Sequence, residues 1–157
     1  MFAIMHLWAR VAILLAAMES ISPDVGLDDR MAISTAIAES DATDQEAAWL
    51  VAIAWRESSF RSDAVGDHRS SWCWAQVHFP LDRRTKEGWT GESLAADPRR
   101  CATVALRVLR TSLSMCRGLP EAERLSAYAS GSCSSRRGQR ISRDRAALRD
   151  RAFGGGQ

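Results

Sequence analysis

The chain has 157 residues and a mass of 17.3 kDa, one domain long enough to bury a core of its own. Apolar side chains make up 46% and charged ones 25%, close to the globular average, which excludes wholesale disorder. The formal net charge of +2 conceals a split: residues 1–98 carry 8 basic and 15 acidic side chains, a net of −7, whereas residues 99–157 carry 13 and 4, a net of +9.

In chain order, Met1 to Met18 is apolar apart from His6 and Arg10. Residues 1–22 are read as a buried first helix, with a secretory signal as the alternative. A signal would want a basic start and a small-x-small cleavage site, and neither stands out. The Val11–Met18 run is short for a membrane span, so no stable span is expected. Ser22-Pro23-Asp24 then breaks the segment, and residues 23–153 form the main domain. A second helix is expected over about Leu27 to Ser40. Thr43-Asp44-Gln45-Glu46 has the form of a capping box, and the run that follows, Ala47 to Trp55, is apolar on every face. A helix of that kind belongs at the centre of a fold. Residues 61–96 mix Gly, Ser, Asp and aromatic residues without a sustained period, which predicts a long functional loop with a short hairpin.

Asp97-Pro98 restarts a helix, with Asp as cap and Pro in the first position. Its apolar residues follow a three-four spacing as far as Cys116, and Arg117-Gly118 ends it. Pro120 opens a helix expected to reach about Tyr128. An Arg-rich surface helix is expected over about Arg140 to Phe153, and residues 154–157 are a glycine tail.

The four cysteines, Cys73, Cys101, Cys116 and Cys133, contain no CxxC pair. A zinc site from Cys73, His78 and another Cys would need a coincidence of folding, and no metal or cofactor is expected. In an exported protein two disulfides are expected, and in the cytosol free thiols are the alternative. Cys101 and Cys116 lie on one helix, about 22 Å apart at 1.5 Å per residue, so they cannot bond to each other. That leaves 73–101 with 116–133, or 73–116 with 101–133. The first is favoured, because Cys116 and Cys133 flank the same short helix.

Glu57 closes the apolar helix beside the irregular segment. A carboxyl there should be partly desolvated, which would favour the protonated form that a general acid needs; an exposed helix-end Glu, or one paired with Arg56 or Arg61, is the alternative. Glu57-Ser58-Ser59-Phe60, then Gly66-Asp67-His68-Arg69 through Ala75-Gln76-Val77-His78, then Ser126-Ala127-Tyr128-Ala129-Ser130-Gly131, stand in sequence. Together these blocks resemble the lysozyme-like superfamily, specifically soluble lytic transglycosylases and goose-type lysozymes, over roughly residues 44–133. The chain departs from that pattern where Cys73-Trp74-Ala75 replaces a Gly-Leu-Met and Ala129 replaces an Asn. It also departs in spacing, since Glu57 lies one residue further from the second block than in common transglycosylases and three residues nearer Asp67 than in the goose type.

The resemblance implies a mainly α, lysozyme-like α+β fold. It also implies a peptidoglycan-cleaving enzyme acting between N-acetylmuramic acid and N-acetylglucosamine. Glu57 would be its general acid and base, Tyr128 a further catalytic group and Asp67 the candidate for positioning water. A turn role serves Asp67 equally well. Gln76, Ser59 and Ser130 would bind sugar. Trp72 and Trp74 would either stack on sugar rings or belong to the core. The resemblance further implies peptidoglycan glycan strands as partner and action outside the cytoplasm or with a phage. A hydrolase or an inactive wall-binding module are the alternatives. The Arg-rich C-terminal region suggests a handle for anionic wall polymers. Nucleic-acid binding through that region has no motif behind it and is not expected.

Overall fold

A computed structural model describes residues 2–79 and 83–154, with side chains from Ile4 onward. Seven helices surround a minimal sheet among these residues. They are α1 (Phe2–Ile21), α2 (Leu27–Glu39), α3 (Asp44–Ser58), α4 (Gly91–Ala95), α5 (Pro98–Met115), α6 (Ser126–Ser130) and α7 (Arg136–Phe153). The fold is mainly α, as the resemblance implies. The tail beyond Gly154 lies outside the described residues.

Helix α3 is the axis of the fold. Thr43 Oγ1 accepts from the Glu46 amide, and the Glu46 carboxylate accepts from the Thr43 amide at 2.8 Å, so the capping box is complete. Every residue from Ala47 to Ala54 is buried. Each large apolar side chain among them, such as Leu50 and Ile53, contributes about 1.5–3 kcal/mol by leaving water. Helices α1, α2, α5 and α7 pack around this axis.

Helix α1 departs from the expectation of a simply buried helix. It buries one stripe, Val11, Leu14, Ala17 and Met18, and exposes Ile4, Met5, Trp8 and Ile13 on the other face. Ile4–Ile21 is long and apolar enough to cross a membrane by length and composition, which the shorter Val11–Met18 run did not suggest. Arg10 docks the helix onto the domain. Its guanidinium donates to the carbonyls of Ala38 and Ala42 and pairs with Asp44.

Between α3 and α5 lie β1 (Val65–Gly66), β2 (Ser71–Trp72) and β3 (Val77–His78), an antiparallel sheet of order β1-β2-β3. Val65 pairs with Trp72, and Trp72 with Val77. The predicted loop therefore holds three strands and the short α4. The helix expected after Pro120 is split into a 3₁₀ turn, Glu121–Glu123, and α6. The last helix starts four residues earlier than expected, capped by Ser135, and it is not confined to the surface. Gly138, Ser142, Arg145 and Ala146 are buried against α3 and α6.

Two disulfides, Cys73–Cys101 and Cys116–Cys133, follow the favoured pairing, with Cα separations of 6.0 and 5.4 Å. Cys73 is thereby withdrawn from metal binding. The charge split also finds a structural counterpart. Arg99 pairs with Glu39, Arg107 with Glu87, Arg110 with Asp41 and Glu46, and Arg145 with Glu57. Each pair joins a cation of the basic part to a carboxylate of the acidic part.

Candidate active site

The C-terminal end of α3 is held firmly. Ser59 and Phe60 take left-handed backbone angles, φ 52° and 61°, that turn the chain out of the helix. The Ser59 amide donates to the Trp55 carbonyl at 2.9 Å, Ser58 Oγ donates to Ala54 O at 2.9 Å, and the Phe60 ring is fully buried against Trp55. Glu57 therefore sits on a rigid last turn. The chain beyond is tied to α2, because Asp29 accepts from the Ser62 amide at 2.9 Å and from its hydroxyl at 2.5 Å.

All seven non-glycine residues with positive φ among those described fall between 59 and 76. They are Ser59, Phe60, Asp67, His68, Arg69, Cys73 and Gln76. Strained backbone concentrates where surrounding structure over-determines a functional loop. Here the strain shapes one wall of the cleft. Three consecutive left-handed residues, Asp67 to Arg69, reverse the chain between β1 and β2, with the Arg69 amide donating to Gly66 O at 3.0 Å. Gln76 fastens the other end of the wall: its Nε2 donates to Cys73 O at 3.0 Å and to Ala64 O at 3.3 Å. Its Oε1 occupies the space where a side chain on Gly66 would stand, 2.3 Å from an ideal Cβ. That approach is why position 66 is glycine.

A polar cavity of about 360 Å³ opens between these elements, lined by Glu57, Asp67, Ser71, Gln76, His78, Tyr128, Ala129 and Arg145. It gathers Glu57, Asp67, Gln76 and Tyr128 from the residues singled out in the sequence. Asp67 lies in the turn between β1 and β2 and also lines the cavity. Its Oδ2 accepts from Ser71 Oγ at 2.6 Å, and that hydroxyl lies 3.4 Å from His78 Nδ1. A groove of about 600 Å³ lies elsewhere, along α5, but Arg107 and Arg110 are already paired with carboxylates there, and it contains none of these residues.

The Tyr128 hydroxyl donates to Ala75 O at 2.9 Å, and its amide donates to Ser112 Oγ at 3.0 Å. Burial of the phenol pushes its titration well above the usual value, Arg145 opposes this, and the Glu57 charge adds to it. Tyr128 is therefore a neutral donor that fixes the Ala75–Gln76 wall against α6.

Four sequence candidates lie outside the cavity. Trp72 and Trp74 are 1% and 0% exposed, and Trp72 packs on Gly91 while Trp74 Nε1 donates to Pro98 O at 3.3 Å. With their ring faces taken by the core, neither offers a stacking surface, which corrects the sugar-binding alternative. Ser59 is exposed at the helix exit. Ser130 Oγ donates back to Ser126 O at 2.8 Å and packs against Gly138.

Sequence reasoning missed Ser71 and, above all, Arg145. This arginine comes from α7, its side chain is 2% exposed, and it donates to Glu57 Oε1. Its guanidinium carbon stands 5.1 Å from the Tyr128 ring centroid. Among the described residues no group of three or more His, Cys, Asp or Glu is arranged to hold a metal ion.

The family model of the Transglycosylase SLT domain matches residues 34–150. The chain belongs to this family. No curated protein and no solved structure matches it. The match to the SLT domain starts within α2 and ends within α7, so it contains every residue lining the cavity. Membership makes this a domain of the lytic transglycosylase and lysozyme-like kind, acting on peptidoglycan and hence outside the cytoplasm.

Proposed function

We propose that this SLT domain is a lytic transglycosylase that cleaves the bond between N-acetylmuramic acid and N-acetylglucosamine, with Glu57 as general acid and then base. The observation that carries this reading is a carboxyl at the rigid end of a buried helix, lining a polar cavity with Gln76, Asp67 and Tyr128. In the first step Glu57 gives its proton to the glycosidic oxygen as the bond to the muramoyl C1 breaks. In the second, the muramoyl 6-hydroxyl forms the new bond to C1 and returns its proton to Glu57, leaving a 1,6-anhydro end. The cycle needs no second acid. Gln76 and Tyr128 keep the wall opposite the carboxyl in register for the sugar.

A hydrolytic outcome is the second reading, favoured by Asp67 in the same cavity with its Ser71 and His78 contacts. In an inverting hydrolase such a carboxylate orients the attacking water. Zymography on purified peptidoglycan with wild type and Glu57→Gln tests the catalytic role. Clearing by wild type and none by the variant supports it, while no clearing by either, with wall binding retained, favours an inactive module. Mass spectrometry of the released muropeptides separates lyase from hydrolase, because an anhydro end is lighter by one water.

Wall binding through the C-terminal arginines belongs to the same proposal. Arg136, Arg137 and Arg140 are exposed and have no ion pair among the described residues, whereas Arg143 is held by Glu123 at 2.7 Å. Neutralising all four is expected to weaken low-salt binding to cell walls, and unchanged binding would discard the idea.

A further inference from the structure

Arg145 is buried to a degree that arginine reaches only when something demands it. Of its nitrogens, Nη2 donates to Glu57 Oε1, while Nε and Nη1 are buried with no hydrogen-bond partner among the described residues. A guanidinium carries five N–H donors and no acceptor, so it can engage several partners at once. Arg149, one turn further along α7, shows the ordinary pattern by pairing with Glu121 and Asp150. The whole hydrogen-bonding capacity that Arg145 uses is directed at one oxygen of Glu57. The Tyr128 ring supports the guanidinium from one face.

Other charges around the cavity make the placement pointed. Its lining holds the carboxyls of Glu57 and Asp67, the titratable His78 and the phenol of Tyr128, and Arg145 is the only arginine or lysine in it. Glu57 also lies in the last turn of α3, where unpaired carbonyls concentrate negative potential. One buried cation thus faces a carboxyl at a negative helix end.

We propose that Arg145 is the positioning residue of this site, holding Glu57 by Oε1 and leaving Oε2 for the sugar. This rests on the reading of Glu57 as the proton donor. Among the described residues Oε2 accepts no hydrogen bond. When Glu57 gives its proton to the leaving oxygen it becomes a carboxylate, and the guanidinium already lies beside it, with no reorganisation needed as charge develops. A carboxyl fixed by one oxygen also keeps its orientation through both halves of the cycle, where a small misplacement costs on the order of 100-fold in rate.

The test is steady-state kinetics on soluble glycan strands with Arg145→Met and Arg145→Lys, beside wild type and Glu57→Gln, with folding checked by circular dichroism. Arg145→Met is expected to lose about 100-fold in kcat with KM within about twofold of wild type. Arg145→Lys, which keeps the charge but not the fork, is expected to recover part of that loss. A Met variant that keeps kcat within about threefold, or that raises KM alone, overturns the proposal. So does failure of both variants to fold while Glu57→Gln folds, since Arg145 is then a structural residue. Cleavage by Glu57→Gln would instead overturn the reading of Glu57, a result distinct from any arginine phenotype.

Discussion

Cys73 occupies a left-handed backbone position, φ 60°, where the resembling families carry glycine, and it is tied to α5 through Cys101. These two facts act in opposite directions on stability and can be separated. Closing a loop of 28 residues removes unfolded-chain entropy equivalent to about 3.6 kcal/mol at 25 °C. A left-handed angle costs a residue with a Cβ about 1 kcal/mol, and glycine adopts it freely. The double variant Cys73→Ala/Cys101→Ala loses the cross-link and keeps the strain, so it should be about 3.6 kcal/mol less stable than wild type. Cys73→Gly/Cys101→Ala loses the cross-link but relieves the strain, so it should lose only about 2.6 kcal/mol. Urea unfolding followed by tryptophan fluorescence measures both, provided that the slopes of the transitions agree. A glycine variant no more stable than the alanine variant would falsify the assignment of strain to position 73. A loss under about 1 kcal/mol in both would refute the cross-link calculation.

Gly66→Ala places a Cβ 2.3 Å from Gln76 Oε1. It should displace that amide, lose its two hydrogen bonds at about 1–2 kcal/mol together, and raise KM because Gln76 lines the cavity; thermal melting and kinetics report both effects. Arg110 grips both oxygens of Glu46, at 2.7 and 3.1 Å, and also Asp41 at 3.0 Å. The Glu46 carboxyl is held down at about 2, chiefly by the Arg110 hydrogen bonds against the opposing effect of burial. Arg110→Ala should cost about 1–2 kcal/mol at pH 7, discounted for solvent screening of a partly exposed pair. A depressed carboxyl contributes stability above its unfolded value, here near 4.5, and loses it as pH falls through about 2. The gap between wild type and variant should therefore close between those two pH values in chemical denaturation. The single tyrosine, Tyr128, should show no ionisation at pH 10 by ultraviolet titration while the fold persists, because burial raises its titration. Stability should decline as pH climbs past the value of an unfolded tyrosine, since only the unfolded chain releases that proton readily.

Helix α3 was legible because its signals are local: a capping box, an unbroken apolar run, and Glu57 at the end. The same holds for the start of α5, where Asp97 Oδ1 accepts from the Arg99 amide at 2.9 Å as the Asp-Pro pair implies. The disulfide pairing followed from helix geometry and loop proximity. The two-residue strands escaped because a period of two cannot show itself over two residues, and α4 with five residues is too short for a helical period. Trp72 and Trp74 sit two apart in a segment whose sequence shows no sustained period, so sequence could not say that both lie in the core. Arg145 was hidden by its company. Among Arg136, Arg137, Arg140, Arg143, Arg149 and Arg151 it reads as one more solvated charge, and only the packing of α7 on α3 and α6 singles it out.

Glu57 and Arg145 stand 88 positions apart in the sequence, so the cavity is assembled from segments made at different times. During synthesis Glu57 emerges first, but the cavity lacks Arg145 until α7 has followed and docked. Unfinished or C-terminally clipped molecules carry the acid without its partner. On the proposed reading of Glu57, the docking of α7 is thus the step that completes the site.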